Sequence, residues 1–252
     1  MARAIPDPRG RTFAVVAAGR GLDWWRQAWR WMWAPGNAGV WIGMGLATFV
    51  IGCALDSLLP RIGWLLSTVL EFILGGGMML AARKSAAGAA PIFADLFAGF
   101  QARVGPLALA GLIVGAAGAI GIVVLLSVGI GAGIGFFAGD FAGFDSVGAG
   151  FGITSILCVI ALLVLMLVIS LASWLTPALI ALAGVDAMPA LRESLKAAWA
   201  NGAALTVYGL VFVGAAIAAS IPFGLGWLIL LPLTALSTYA AFADVFASTG
   251  PT

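Results

Sequence analysis

The chain has 252 residues, of which 63% are hydrophobic and 9% are charged, with a formal net charge of +2. Soluble domains are roughly 45–50% apolar and about 25% charged, so a soluble core of this length would leave much of the apolar surface uncovered. The small net charge argues against a nucleic-acid partner, and the absence of histidine excludes zinc and triad sites that need imidazole. The chain is therefore predicted to be an integral membrane protein.

The first predicted element is a short amphipathic helix in residues 21–36, which contain five tryptophans. At about 100° per residue, Asp23, Arg26, Gln27 and Arg30 share one polar arc of this helix. Such a helix lies in the membrane surface, with indoles at headgroup depth and guanidinium groups near phosphates. The predicted anchors are Trp24, Trp25, Arg26, Trp29, Arg30 and Trp33. An aromatic box that stacks on a ligand is the alternative interpretation.

Six runs follow that are long and apolar enough to span a bilayer as helices. They cover residues 38–58, 62–82, 105–131, 153–183, 203–221 and 224–247. Short turns rich in Pro and Gly join the first two runs and the last two, which indicates helical hairpins. Pro177 is expected to kink the long fourth run or to end its passage through the membrane. The predicted fold is an all-α polytopic bundle, with one transmembrane domain at 21–247, an N-terminal tail at 1–20 and a C-terminal tail at 248–252.

Glu71 is the candidate intramembrane polar site, because it lies near the middle of the second span. An acidic residue there costs about 2.5–3.5 kcal/mol on translocon scales. It either handles protons or cations from the bundle interior, or is a structural carboxyl bonded to a hydroxyl such as that of Ser67; the structural interpretation is favoured. Gly75–Gly77 either pack closely or form a break in the helix, and packing is favoured. Asp244, in the last span, is expected to be interfacial.

Residues 129–152 are rich in glycine and phenylalanine, and they are predicted to form either an external loop or a segment that dips into the outer leaflet. Small-residue spacing in "GLIVGAAGAIG" (111–121) and "GVWIG" (39–43) indicates close helix packing.

A second amphipathic helix, "LRESLKAAWA" (191–200), aligns without gaps on "WRQAWRWMWA" (25–34). It contributes Arg192, Lys196 and Trp199 to the predicted membrane anchors. A looser copy lies at 91–106. The chain is thus predicted to contain three repeats of an amphipathic helix and two spans, at 21–84, 91–183 and 187–247.

Charge placement predicts the orientation. Eight Lys and Arg residues near the spans lie on one side, whereas Arg61 alone lies on the other. Such an excess marks the cytoplasmic side. A multi-pass protein of the bacterial inner membrane with both termini in the cytoplasm is predicted.

Several spaced motifs together resemble one family of proteobacterial inner-membrane proteins, known by a locus-tag name and predicted to have about six spans. They are Arg20-Gly21 with Trp24, "LPRIG" at the first hairpin, "DLFAGF" at 95–100, and "WLTPAL" followed by "MPALRESLKAAWANG". The resemblance covers most of residues 20–247 and implies a six-span fold. The family has no established activity, so the resemblance implies no ligand or catalytic residue. The sequence departs from the family pattern at Glu71.

The predicted function is a non-enzymatic, organising or partner-binding role in the envelope, because packing glycines are abundant and no paired catalytic groups are found. Membrane lipids, and a protein partner or a second copy of the chain, are the expected partners; no cofactor or metal is expected. The alternative is a transporter for a small molecule, ion or lipid that uses Glu71 and the Gly75–Gly77 break.

Overall fold

The computed structural model describes residues 3–6, 12–137, 146–221 and 224–246. In these ranges the chain is an all-α polytopic bundle, as predicted, with a small β-ribbon formed by β1 (Arg3–Pro6) and β2 (Thr12–Val15). The helices are α1 (Arg20–Met32), α2 (Ala38–Leu58), α3 (Gly63–Ala86), α4 (Ala98–Ala102), α5 (Val104–Phe137), α6 (Ser146–Trp174), α7 (Thr176–Ala183), α8 (Ala187–Ala200), α9 (Gly202–Ser220) and α10 (Trp227–Phe246). A 3₁₀ helix, Phe93–Phe97, precedes α4.

Six helical stretches of the described residues are long and apolar enough to cross a membrane. They are Ala38–Leu58, Gly63–Ala86, Val104–Ser127, Ile156–Ala183, Gly202–Ser220 and Trp227–Phe246. Each overlaps one predicted span, so the prediction of six spans is confirmed. In α3, 56% of the most apolar window is buried, the largest share of the six, which makes α3 the central span of its unit.

The chain divides into two compact units. One consists of Met1–Leu112 with Leu171–Thr252, and it contains both amphipathic helices, α1 and α8. The other is Ile113–Ser170, which contains the C-terminal part of α5 and most of α6, and in it Gly121 lies against Met166 and Leu162.

The fourth predicted span breaks where Pro177 requires it. α6 ends at Trp174 and α7 begins at Thr176, with proline in its first turn, where the missing N–H leaves no donor unpaired. The hydroxyl of Ser194 on α8 accepts a hydrogen bond from the backbone N–H of Leu175, at the break, at 3.0 Å. The expected kink is therefore confirmed, and a side chain of α8 satisfies the backbone donor at the kink.

Two predicted segments differ from the structure. Residues 129–137 and 146–152 are the helical ends of α5 and α6, so the predicted loop is wrong for these residues, whereas the alternative that the segment dips into the outer leaflet stays a prediction. The rest of that segment lies outside the described residues. The third amphipathic helix, predicted at 91–106, is instead the short 3₁₀ helix followed by α4.

The connection formed by the 3₁₀ helix and α4 crosses α3 backbone to backbone. A Cβ added to Gly77 would collide with the carbonyl oxygen of Leu96, and one added to Gly99 with that of Ile73. Asp95 accepts hydrogen bonds from the backbone N–H of Ile92 at 3.0 Å and from Nζ of Lys84 on α3 at 2.6 Å. Two glycines and one ion pair thus hold the connection to the central span.

The predicted N-terminal tail includes a segment that is attached to the helices. Asn201, 2% exposed, accepts the backbone N–H of Val16 at 2.8 Å and donates to the carbonyl of Ala14 at 3.0 Å. Its amide also donates to the carbonyl of Ala197 at 2.9 Å, and the ring of Phe13 packs on that of Phe246, with centroids 6.3 Å apart. Residues 13–16 therefore belong to the folded unit, and the C-terminal tail at 248–252 lies outside the described residues.

Candidate functional site

Helix α1 forms as the sequence predicts and ends before Pro35, which cannot continue it. The side-chain amide of Asn37, itself buried, donates to the carbonyl of Trp31 at 2.8 Å. This bond satisfies one of the carbonyls that a helix leaves unpaired at its C-terminus. The end of α1 is thereby joined to the start of α2.

One face of α1 is buried against protein. Trp24 is 0% exposed and Trp25 5% exposed, and Ala28 and Met32 are buried beside them. Gly21 lets α1 approach α9 closely, because a Cβ there would collide with the carbonyl oxygen of Ala204. Two of the predicted membrane anchors, Trp24 and Trp25, are thus covered by neighbouring helices and out of reach of lipid headgroups.

Trp24, Trp25, Trp174 and Tyr208 form an aromatic cluster beneath α1. The ring centroids of Trp24, Trp174 and Tyr208 lie 5.7 to 6.1 Å apart, and Trp25 stacks on Tyr208 at 5.0 Å. The indole of Trp25 donates to the carbonyl of Tyr208 at 3.2 Å, and the hydroxyl of Tyr208 lies 3.0 Å from that of Ser237. The cluster fills the space among α1, α6, α9 and α10, so it serves packing and offers no open stacking surface.

Asp244 of α10 forms three hydrogen bonds with side chains of α1. Nε and Nη2 of Arg20 donate to the two carboxylate oxygens of Asp244, each at 2.7 Å, and the indole of Trp24 donates at 2.9 Å. The hydrogen bond with Asp244 raises the pKa of Arg20 above its ordinary value, so the guanidinium stays charged. Asp244, expected to be interfacial, is therefore the carboxylate that joins α1 to α10.

The opposite face of α1 consists of Arg26, Trp29, Arg30 and Trp33, which are exposed; we call it the outer face of α1. Trp29 and Trp33 are 51% and 46% exposed, and their ring centroids lie 5.5 Å apart. Arg26 contacts Asp23 at 3.3 Å, whereas Arg30 forms no ion pair within the described residues. These four side chains are free to meet a membrane surface.

Helix α8 presents a similar exposed face. The residues that the alignment of the two helices pairs agree in exposure. All six are exposed: Arg192 and Arg26, Lys196 and Arg30, and Trp199 and Trp33. Trp199 is 74% exposed. The opposite side of α8 is buried, with Ser194 at 0% exposure.

Glu71 is exposed on α3, and no hydrogen bond or ion pair of its carboxylate is found in the part of the chain that the structure describes. The hydroxyl of Ser67, a candidate partner, lies 3.1 Å from Asp56 Oδ1 and 3.0 Å from the carbonyl of Trp64. Glu71 was expected to face the interior of the bundle, but its side chain is exposed, and the Ser67 hydroxyl is bonded to other groups.

Helix α3 is continuous through Gly75–Gly77, so the alternative of an unwound segment is wrong. The favoured packing interpretation is confirmed, since a Cβ at Gly76 would lie 2.7 Å from Leu107 and one at Gly77 would meet the backbone of Leu96. Gly111 also packs as predicted, with a Cβ position 2.7 Å from the Cα of Val69, but Gly39 and Gly118 face open space. Gly45 packs against Pro232, a contact that no spacing pattern indicated.

Among the described residues, no three Cys, Asp or Glu side chains lie close enough to hold a metal ion. Sequence reasoning missed Asn201, which bonds the segment that contains β2, and Asp244 in its role of joining α1 to α10. A lone polar side chain at the end of an apolar run was the available signal for both. The site is thus one amphipathic helix with a bonded inner face and an exposed basic and aromatic outer face. No protein-family model matches the chain, and neither a curated protein nor a solved structure does.

Proposed function

We propose that this chain is a non-enzymatic, multi-pass protein of the bacterial inner membrane that organises or binds a partner within the envelope. Its membership of the resembling proteobacterial family is part of the same proposal. The observation that carries the partner-binding role is Glu71, an exposed carboxylate on a spanning helix with no bond among the described residues. A partner that supplies a hydrogen-bond donor at this point would offset the cost of about 2.5–3.5 kcal/mol.

Photo-crosslinking in native membranes tests this role. A photoreactive residue at Thr68, one helical turn from Glu71, is expected to give a protein adduct of defined mass. Glu71→Ala should reduce that adduct several-fold, because the donor loses its acceptor, and a second copy would add the mass of this chain, 25.6 kDa. The matched control is a photoreactive residue at Leu210, 69% exposed on α9 and without a neighbouring charge. No adduct at Thr68, or an equal one at Leu210, contradicts the proposal.

The proposed orientation places both termini in the cytoplasm. It is supported by the eight Lys and Arg residues on one side of the spans against Arg61 on the other. A reporter enzyme fused after Thr252 should be active only when it requires the cytoplasm. Activity of a reporter that works solely in the periplasm would contradict this orientation.

Transport through Glu71 is the second candidate, and the exposed carboxylate is the observation that favours it. Its other support was the Gly75–Gly77 break, which the continuous helix α3 removes. If Glu71 carries protons, Glu71→Gln should abolish proton-coupled uptake into vesicles while the protein stays folded. Uptake equal to that of the unsubstituted protein would leave this candidate without support.

A further inference from the structure

An open groove of about 810 Å³ lies between α1 and the two helices α9 and α10. On the side of α1 the groove is lined by Arg20, by the polar arc and by two tryptophans, Trp25 and Trp29. On the side of the spanning helices it is lined by Val211, Ala215 and Leu233. The volume falls in the range of roughly 300–1,000 Å³ typical of small-molecule sites. The lining thus combines charged side chains of α1 with apolar side chains of two spans.

The charged side chains that line the groove carry an excess of positive charge. Arg20 is occupied by Asp244, which binds it with two hydrogen bonds of 2.7 Å. Arg26 and Arg30 remain, one helical turn apart on the same face, and Asp23 is the only acidic side chain among the described residues that line the groove. Asp23 contacts Arg26 at 3.3 Å but not Arg30. Guanidinium groups at this spacing suit a phosphate, which they bind through paired hydrogen bonds.

The apolar side chains that line the groove favour an apolar occupant. Val211 and Ala215 are one turn apart on α9 and only half-buried, so they leave a strip of span surface beside α1. A soluble anion would leave this strip uncovered, whereas an acyl chain would cover it and place its headgroup at α1. The exposed indole of Trp29 also lines the groove, and indoles are enriched where a membrane meets water.

We propose that the groove binds an anionic phospholipid, with the headgroup phosphate on Arg26 and Arg30 and one acyl chain along Val211 and Ala215. This site is independent of Glu71 and of the partner-binding role proposed above. The lipid would contact both α1 and α9, since residues of both helices line the groove.

Native mass spectrometry of the purified protein in mild detergent tests the site. Added phosphatidylglycerol should be retained in preference to phosphatidylcholine with the same acyl chains. Arg26→Ala with Arg30→Ala should weaken retention by about fivefold per arginine removed. The matched control is Arg61→Ala with Arg83→Ala, which removes two exposed charges that do not line the groove and should leave retention unchanged.

Two further measurements test the acyl-chain contact and the kind of anion. Ala215→Trp places a large side chain in the groove and should reduce retention of phosphatidylglycerol. Soluble glycerol phosphate should not compete with the lipid. The proposal is overturned if phosphatidylcholine is retained equally, if both double variants lose lipid equally, or if Ala215→Trp has no effect. Competition by glycerol phosphate would indicate a site for a soluble anion. A dimer that forms without lipid and is lost in the variant of Arg26 and Arg30 would indicate that a second copy of the chain occupies the groove. Either result also overturns the lipid proposal. The comparison of the two lipids uses the unsubstituted protein, so it stands even if a variant fails to fold.

Discussion

Replacing Asp244 by alanine removes the acceptor that binds α1 to α10. Asp244 receives two hydrogen bonds from Arg20 and one from Trp24. Each bond to a charged group contributes about 1.5–3 kcal/mol, and breaking a buried ion pair costs about 3–5 kcal/mol. The side chain of Arg20 is 40% exposed, so water replaces part of what it loses. The indole N–H of Trp24 cannot reach water, because Trp24 is 0% exposed.

We therefore expect Asp244→Ala to lower the free energy of unfolding by about 2–4 kcal/mol, with the Trp24 bond accounting for about 1–3 kcal/mol of it. Trp24→Phe in a double-mutant cycle with Asp244→Ala isolates that share, since phenylalanine has no N–H. The measurement is unfolding in mixed micelles by increasing dodecyl sulfate, followed by far-ultraviolet circular dichroism.

Asp23→Ala is the control for the removal of a carboxylate from the same surface. Its contacts with Arg26 at 3.3 Å and Arg20 at 3.8 Å are exposed, so its loss should cost less than about 1 kcal/mol. If Asp244→Ala destabilises the protein no more than Asp23→Ala does, or if the cycle shows no coupling between Trp24 and Asp244, the bonds of Asp244 do not stabilise the fold.

Three other substitutions test the packing. Gly77→Ala should destabilise by about 1–3 kcal/mol or prevent folding, since its methyl group would meet backbone, whereas Gly118→Ala faces open space and should be neutral or stabilising; equal effects in a thermal melt would contradict this. Asn201→Ala should release β2, seen as loss of hydrogen-exchange protection at the amide of Val16, and unchanged protection would show that the ribbon holds without it. Trp41→Phe removes a buried 3.2 Å bond to a hydroxyl of α3 and should cost about 0.5–1.5 kcal/mol in the same melt, while an increase in stability would count against that bond.

The spans and the helix break were predictable because their causes are local. A run of about 20 apolar residues has few alternatives to a spanning helix. Proline removes a backbone donor wherever it occurs, so Pro177 indicated the break between α6 and α7. The polar arc of α1 was predictable for the same reason, since helical periodicity alone places Arg26 and Arg30 together.

The burial of individual tryptophans was not predictable, because it depends on distant segments of the chain. Trp24 and Trp29 have identical side chains on one helix, yet Trp24 is 0% exposed and Trp29 is 51% exposed. The difference arises from α9 and α10, and the acceptor for Trp24 is 220 positions away. Likewise, the exposure of Glu71 depends on which side of α3 is covered by neighbouring helices, and the hydropathy of the sequence does not indicate that side.

The pairing of Arg20 with Asp244 has a consequence for synthesis, since the two residues are separated by 224 positions. At about 5–20 residues per second, a ribosome takes roughly 10–45 s to add the second partner after the first. During that interval α1 is complete, while α10, which supplies the acceptor for the indole of Trp24, has not been made. The bonds between α1 and α10 therefore form late in assembly. A chain stalled before α10 would leave the indole N–H of Trp24 without this acceptor, a mark by which a quality-control protease could distinguish an unfinished protein from a finished one.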